Sequence, residues 1–206
     1  DLKDVKSNRG EALDFFKLDK NKKTVLVIGG SLGARSINES IGSGLQRLAD
    51  NSIQLIWQTG KGYYQTAQQQ VAKFSNKNIF AFEFITKMNL AYAAADIVIS
   101  RAGASSVSEL CNLAMPCILV PSPNVAEDHQ AKNAMALVNK EAALLVKDTD
   151  ALSNLVKVAI ALTGDNAQKE KLSRNISKMA FHNSANVIAK EVLKLAGYSI
   201  DEGAGL

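Results

Sequence analysis

No apolar run approaches the length needed to span a bilayer, and no signal-peptide pattern opens the chain. The second absence says little, because the chain starts abruptly at Asp1 without an initiator Met and reads as a piece of a longer protein. Cysteine is scarce. Cys111 and Cys117 have neither a metal-ligand spacing nor the density of a secreted disulfide framework. Buried, reduced thiols are expected, as in a cytosolic protein, so the sequon Asn175-Ile176-Ser177 is read as chance. A strong charge imbalance is also missing, with 24 Lys and Arg against 20 Asp and Glu. The basic residues are dispersed rather than clustered, so nucleic acid is not an expected partner. A solvated basic surface is the simpler reading, with attraction to anionic lipid headgroups left open. Low-complexity tracts are absent, and Pro occurs only three times.

What remains is an ordinary globular composition, 47% hydrophobic and 21% charged, in 206 residues. That length suits one substantial core or at most two small ones. Residues 24–28 (TVLVI) form the β-branched run of a strand buried on both faces. The turn Gly29-Gly30-Ser31-Leu32-Gly33 follows, and residues 35–48 then carry helical spacing through Ile37, Ile41, Leu45 and Leu48. Strand and helix alternate again at 53–57 and 63–74, 78–82 and 87–94, 97–100 and 106–113, and 117–120 and 130–139. A strand at 143–146 and helices near 150–162, 165–175 and 184–196 complete the pattern. The alternation predicts an α/β fold with one doubly wound parallel sheet. Residues 1–22 read as a polar linker or lead-in from a missing N-terminal domain, with a short helical stretch at 11–16. Residues 23–198 form the domain, and 199–206 a disordered tail.

Four loops at predicted strand ends carry chemistry. The Gly29–Gly33 loop lets backbone amides approach a ligand, and the helix after it offers unpaired N–H groups to a phosphate. A plain tight turn explains it equally well. The same loop matches the Gly-x-Ser-x-Gly nucleophile elbow of α/β-hydrolases around Ser31. That reading is disfavoured, because Asp128 adjoins His129, His182 lies in a helical region, and no oxyanion segment is present. A dinucleotide fingerprint is excluded by the glycine spacing and by the lack of an acid after the second strand. Ser106-Val107-Ser108-Glu109 is a capping-box pattern, yet its place after the Arg101-Ala102-Gly103-Ala104 turn suits a diphosphate at the helix start and ribose hydroxyls on Glu109. Glu127-Asp128-His129-Gln130 with Asn133 suits sugar hydroxyls, or else a solvated loop with an acidic N-cap. Phe84-Ile85-Thr86 reads as core, although a base edge read by main-chain groups fits there too.

The segments GGSLGARSIN at 29–38, WQTGKG at 57–62, FITKMNLAYAAADIVISRAGASSVSEL at 84–110 and PCILVPSPNVAEDHQAKNA at 116–134 occur in that order. Together they resemble the carboxyl-terminal domain of the MurG family, bacterial peptidoglycan glycosyltransferases of GT-B fold. The resemblance implies a Rossmann-like half that binds UDP-N-acetylglucosamine. It places Ser31, with Gly30 and Gly33, near the donor diphosphate, and Ile85 at the uracil. It places Ala104, Ser105 and Ser106 at the phosphates and part of the sugar, Glu109 at the ribose, and His129 and Gln130 at the N-acetylglucosamine ring. Some family members carry Gln at the position of His129. Arg101 and Asn133 are supporting residues.

The reaction implied transfers N-acetylglucosamine to lipid I with inversion, forming lipid II, and calls for neither a metal nor a cofactor. The catalytic base, the acceptor site and the peripheral contact with the cytoplasmic face of the inner membrane are expected in the missing domain. The fragment is therefore expected to be inactive alone. A stand-alone nucleotide-sugar-binding module is the alternative reading.

Overall fold

The computed structural model describes residues 5–30, 33–123, 128–181 and 184–197. Strands β1 (Lys23–Ile28), β2 (Ile53–Gln58), β3 (Ile79–Phe82), β4 (Ile97–Ser100), β5 (Cys117–Leu119) and β6 (Leu144–Leu145) form one parallel sheet. Its order is β3-β2-β1-β4-β5-β6, the doubly wound topology that the alternation predicted. Helices α1 (Arg9–Phe15), α2 (Arg35–Asp50), α3 (Tyr64–Val71), α4 (Met88–Ala94) and α5 (Ala104–Asn112) belong to the first part of the chain. Helices α6 (His129–Val138), α7 (Ala151–Gly164), α8 (Asn166–Ser177) and α9 (Ser184–Leu195) follow.

β1 pairs with β2 on one side, Val25 opposite Leu55, and with β4 on the other, Val25 opposite Ile97. Because side chains alternate along a strand, β1 feeds two cores. Val25 and Val27 pack in one layer with Ile37, Ile41 and Leu45 of α2 and Leu155 of α7. Leu26 and Ile28 pack in the other with α4, α5 and α6. Both cysteines are free and buried in this second layer, and burial pushes both thiols up. No helix among the described residues is long and apolar enough to cross a membrane.

The lead-in residues contribute to the second core. Ala12, Leu13 and Phe16 are buried there, with Phe16 edge-on to Phe82 at 5.7 Å between ring centroids. Asp96, at the start of β4, fastens this segment: it accepts from Arg9 at 3.1 Å, from Lys23 at 3.3 Å and from the Thr24 amide at 2.8 Å. Buried Gln54 ties down the next turn, accepting from the Asp19 amide and donating to the Asp19 carbonyl.

The helix predicted at 63–74 is shorter than expected. α3 ends at Val71 and a 3-10 segment, Ala72–Lys77, leads to Asn78 with φ 56 and ψ 48. Asn tolerates this left-handed conformation, and here its side chain donates to the Lys17 carbonyl at 2.8 Å. The expected tail at 199–206 lies outside the described residues.

Replacing Asp96 by Ala removes three hydrogen bonds from a side chain only 13% exposed. The expected loss is about 2 kcal/mol, held down by the exposure of Arg9 and Lys23, or roughly 4–8 °C in a thermal melt. An unchanged melting temperature would show that α1 is held by apolar packing alone.

Candidate functional site

β1 and β4 lie side by side, yet the chain leaves them toward opposite faces, α2 to one core and α5 to the other. The diverging loops leave a crevice at the carboxyl ends of the strands, the place where such sheets bind ligands. A cleft of about 590 Å³ occupies it, lined by residues that include Gly30, Gly33, Arg101, Gln130 and Asp148.

One wall is the glycine loop. The Gly29 amide donates to the Gln58 carbonyl at 3.2 Å, holding the loop against the end of β2. Gly33 has φ +79, and a Cβ there would sit 2.4 Å from the Thr59 carbonyl oxygen. Buried Asn38, on the first turns of α2, fixes the same corner: it donates to the Thr59 carbonyl at 2.8 Å and accepts from the Trp57 indole at 2.9 Å. α2 starts after Ala34 with no side-chain cap, so its first amides remain available to an anion. Ser31 lies outside the described residues.

A second wall, beyond the lining of that cleft, is the start of α5. Here the structure corrects the capping-box reading. The helix begins at Ala104, with Gly103 in an extended conformation at the N-cap and no side-chain cap bond. Ser106 is thus already the third helical residue, and Ser105 and Ala104 are exposed at the helix start. Glu109 does not reach back to the N-cap. It is half-buried on the second turn and accepts a 2.8 Å hydrogen bond from the Tyr92 hydroxyl of α4.

Arg101 forms the floor. It donates to the Val120 carbonyl at 3.0 Å, pairs with Asp148, and donates to the Ser36 hydroxyl at 3.1 Å. Ser36 also donates to Asp148. One guanidinium therefore joins the ends of β4 and β5, the first turn of α2 and the segment after β6. Gln130 accepts from the Ser122 amide at 3.0 Å through its side-chain oxygen, leaving its amide nitrogen as a donor. Asn133 donates to the Ala102 carbonyl at 3.1 Å, pinning the turn before α5. His129 is exposed at the first position of α6. Asp128 does occupy the N-cap there, but in a left-handed conformation (φ 51) and without a side-chain cap bond. Residues 124–127, Glu127 included, lie outside the described residues.

Gly30, Gly33, Arg101 and Gln130 therefore share one cleft, whereas Ile85, Ala104, Ser105, Ser106, Glu109, His129 and Asn133 lie outside its lining. Ile85 is buried at the end of the β2 and β3 pair, and its amide already donates to the Gln58 side chain at 3.1 Å. A base at that position is left with the Ile85 carbonyl unless Gln58 yields the amide. Sequence reading missed Ser36, Asn38, Gln58, Tyr92 and Asp148. Only Asp148, a carboxylate just past the last strand, carried a positional signal.

A second cavity, about 410 Å³, lies at the amino ends of the strands and includes Arg9, Lys23, Asp96 and Lys169 in its lining. Its charged side chains are already engaged, Glu170 with Arg174 outside the cavity. Asp96 takes Arg9 and Lys23, and Lys169 donates to the Thr163 carbonyl at 2.7 Å. Burial first, then Lys23, lowers the Lys169 pKa.

The glycine wall makes a sharp prediction. Gly33→Ala meets both an unfavourable φ and a backbone clash. It should cost about 2–3 kcal/mol in denaturant unfolding. Gly62→Ala, with nothing within 4 Å of the new Cβ, should be nearly neutral. Equal stability of the two variants would contradict the loop geometry.

The profile of the glycosyltransferase family 28 C-terminal domain matches residues 24–192. A relative from Parabacteroides distasonis is 50% identical over 195 residues, covering 95% of this chain and 53% of its own length. It is named UDP-N-acetylglucosamine–N-acetylmuramyl-(pentapeptide) pyrophosphoryl-undecaprenol N-acetylglucosamine transferase. A Bacteroides fragilis relative of the same name is 53% identical, covering 94% of this chain and 52% of its own length. The crystal structure of Acinetobacter baumannii MurG superposes with a TM-score of 0.76 at 25% identity, over 89% of this chain and 53% of that one. The chain thus spans about half the length of the curated relatives it matches. On the strength of the matched profile and these identities, the chain belongs to the glycosyltransferase family 28 C-terminal domain family.

Proposed function

We propose that this chain is the UDP-N-acetylglucosamine-binding half of a glycosyltransferase that passes N-acetylglucosamine to lipid I, forming lipid II for peptidoglycan. The observation that carries the reading is the pairing of two helix starts without side-chain caps, α2 and α5, across the switch point. Two sets of unpaired amides suit a diphosphate better than a neutral ligand. The names of the half-matched relatives supply the sugar and the acceptor.

In this reading the diphosphate lies between the Gly30–Gly33 loop, with Ser31, and residues Ala104, Ser105 and Ser106. The uracil meets the Ile85 main chain, and the ribose hydroxyls donate to Glu109. His129 and Gln130 meet the sugar, with the Gln130 amide nitrogen donating to a sugar oxygen. Arg101 and Asn133 keep the two walls in register. The acceptor 4-hydroxyl attacks C1 of N-acetylglucosamine from the face opposite the diphosphate. The new C–O bond forms as the C1–O bond to phosphate breaks, the electron pair leaves on UDP, and the hydroxyl proton passes to a general base. Helix-start amides oppose the charge developing on the leaving diphosphate. We place the base, the lipid acceptor site and the peripheral contact with the cytoplasmic membrane face in the half of such a protein that this chain does not span.

Calorimetric titration tests the donor assignment. UDP-N-acetylglucosamine should bind weakly, UDP-glucose more weakly still, and Glu109→Ala should lower the affinity about tenfold or more. Equal binding by Glu109→Ala would remove the ribose role, and no binding at all would remove the donor reading.

A further inference from the structure

We propose that Tyr92 is a positioning residue for nucleoside recognition, its hydroxyl holding the Glu109 carboxylate in the orientation that receives the ribose. The inference rests on the reading of Glu109 as the ribose acceptor.

Tyr92 is 2% exposed on α4, a helix otherwise made of small and apolar residues there, and its hydroxyl reaches α5 to donate to Glu109 Oε2 at 2.8 Å. Burial, reinforced by the Glu109 charge, pushes the phenol pKa up, so the hydroxyl stays a donor at any physiological pH. Glu109 is half-buried, and a glutamate side chain left untethered samples several rotamers, at an ordering cost of about 1–2 kcal/mol when a ligand fixes it. Tyr92 removes that freedom before the ligand arrives. With one lone pair of Oε2 engaged, Oε1 and the remaining lone pair of Oε2 are left as acceptors. The bond also has a second end. α4 follows the loop that carries Ile85, so the hydroxyl links the helix behind the base-reading loop to the helix that carries the ribose acceptor. A base and a ribose joined by one glycosidic bond need those two elements at a fixed separation.

The test is a double-mutant cycle on ribose discrimination. The chain, Tyr92→Phe, Glu109→Ala and the double variant are titrated calorimetrically with UDP and with 2′,3′-dideoxy-UDP. The unmutated chain should prefer UDP about tenfold, and Tyr92→Phe should cut this preference to about threefold or less. Affinity of Tyr92→Phe for the dideoxy nucleotide and its melting temperature should stay close to those of the unmutated chain. Glu109→Ala should abolish the preference, and Tyr92→Phe should add nothing on that background. Full discrimination in Tyr92→Phe, with its loss in Glu109→Ala, overturns the Tyr92 role alone. Discrimination that survives Glu109→Ala, or is missing from the unmutated chain, overturns the ribose reading and this inference with it. An equal loss for both nucleotides with a lowered melting temperature reduces Tyr92 to packing and also overturns the proposal.

Discussion

The adjacency of β1 and β4 governs the rest of the molecule. In a parallel sheet every strand points its carboxyl end the same way, so every strand-to-helix loop emerges on one edge. Neighbours such as β2 and β1 send their helices, α3 and α2, to the same face. β1 and β4 are neighbours whose following helices go to opposite faces, because the chain winds outward to β3 before returning past β1. The gap this leaves cannot be closed by the backbone, and two helix starts with unpaired amides border it. Topology thus brings two uncapped helix starts to one crevice before any particular side chain is considered.

Side chains then make the gap rigid. On one wall Asn38 accepts from Trp57 and donates to Thr59, so a buried indole, a buried amide and a main-chain carbonyl fix the corner where Gly33 turns. On the floor, Arg101 reaches three elements and is itself oriented by Asp148 and Ser36. Behind the second wall Tyr92 fixes Glu109. These polar groups are buried or half-buried and mutually satisfied, which makes each arrangement costly to leave. The cleft is therefore largely built before a ligand enters, which lowers the ordering cost of binding.

The sheet was legible because its strands announce themselves. β1, β2 and β4 are runs rich in β-branched and other apolar residues, buried along nearly their whole length, and the turns between elements carry glycine or a short polar segment. The helix that starts the second wall was less legible. Ser106-x-x-Glu109 is a strong local capping pattern, but Gly103 took the N-cap and tertiary contact gave Glu109 to Tyr92, 17 residues away. The Arg101 floor was illegible for the same reason: Asp148 lies 47 residues along the chain and Ser36 lies 65. Tyr92 sat in an apolar helix where a tyrosine reads as core, and only its hydroxyl partner separates that reading from a functional one. The segments that carried the resemblance include the glycine loop, where Gly29 and Gly33 are constrained by close approach rather than by periodicity.

In the proposed reading the ligand sits at the carboxyl-edge switch point with its diphosphate against two helix starts. Backbone amide NMR during titration with UDP tests it most directly. The largest shift changes should fall on Gly29, Gly30 and Gly33 through Ser36, and on Gly103 through Ser106. Asp96 and Lys169, at the amino-edge cavity, should be nearly silent. Changes centred on that opposite edge, or spread evenly over the surface, would contradict it.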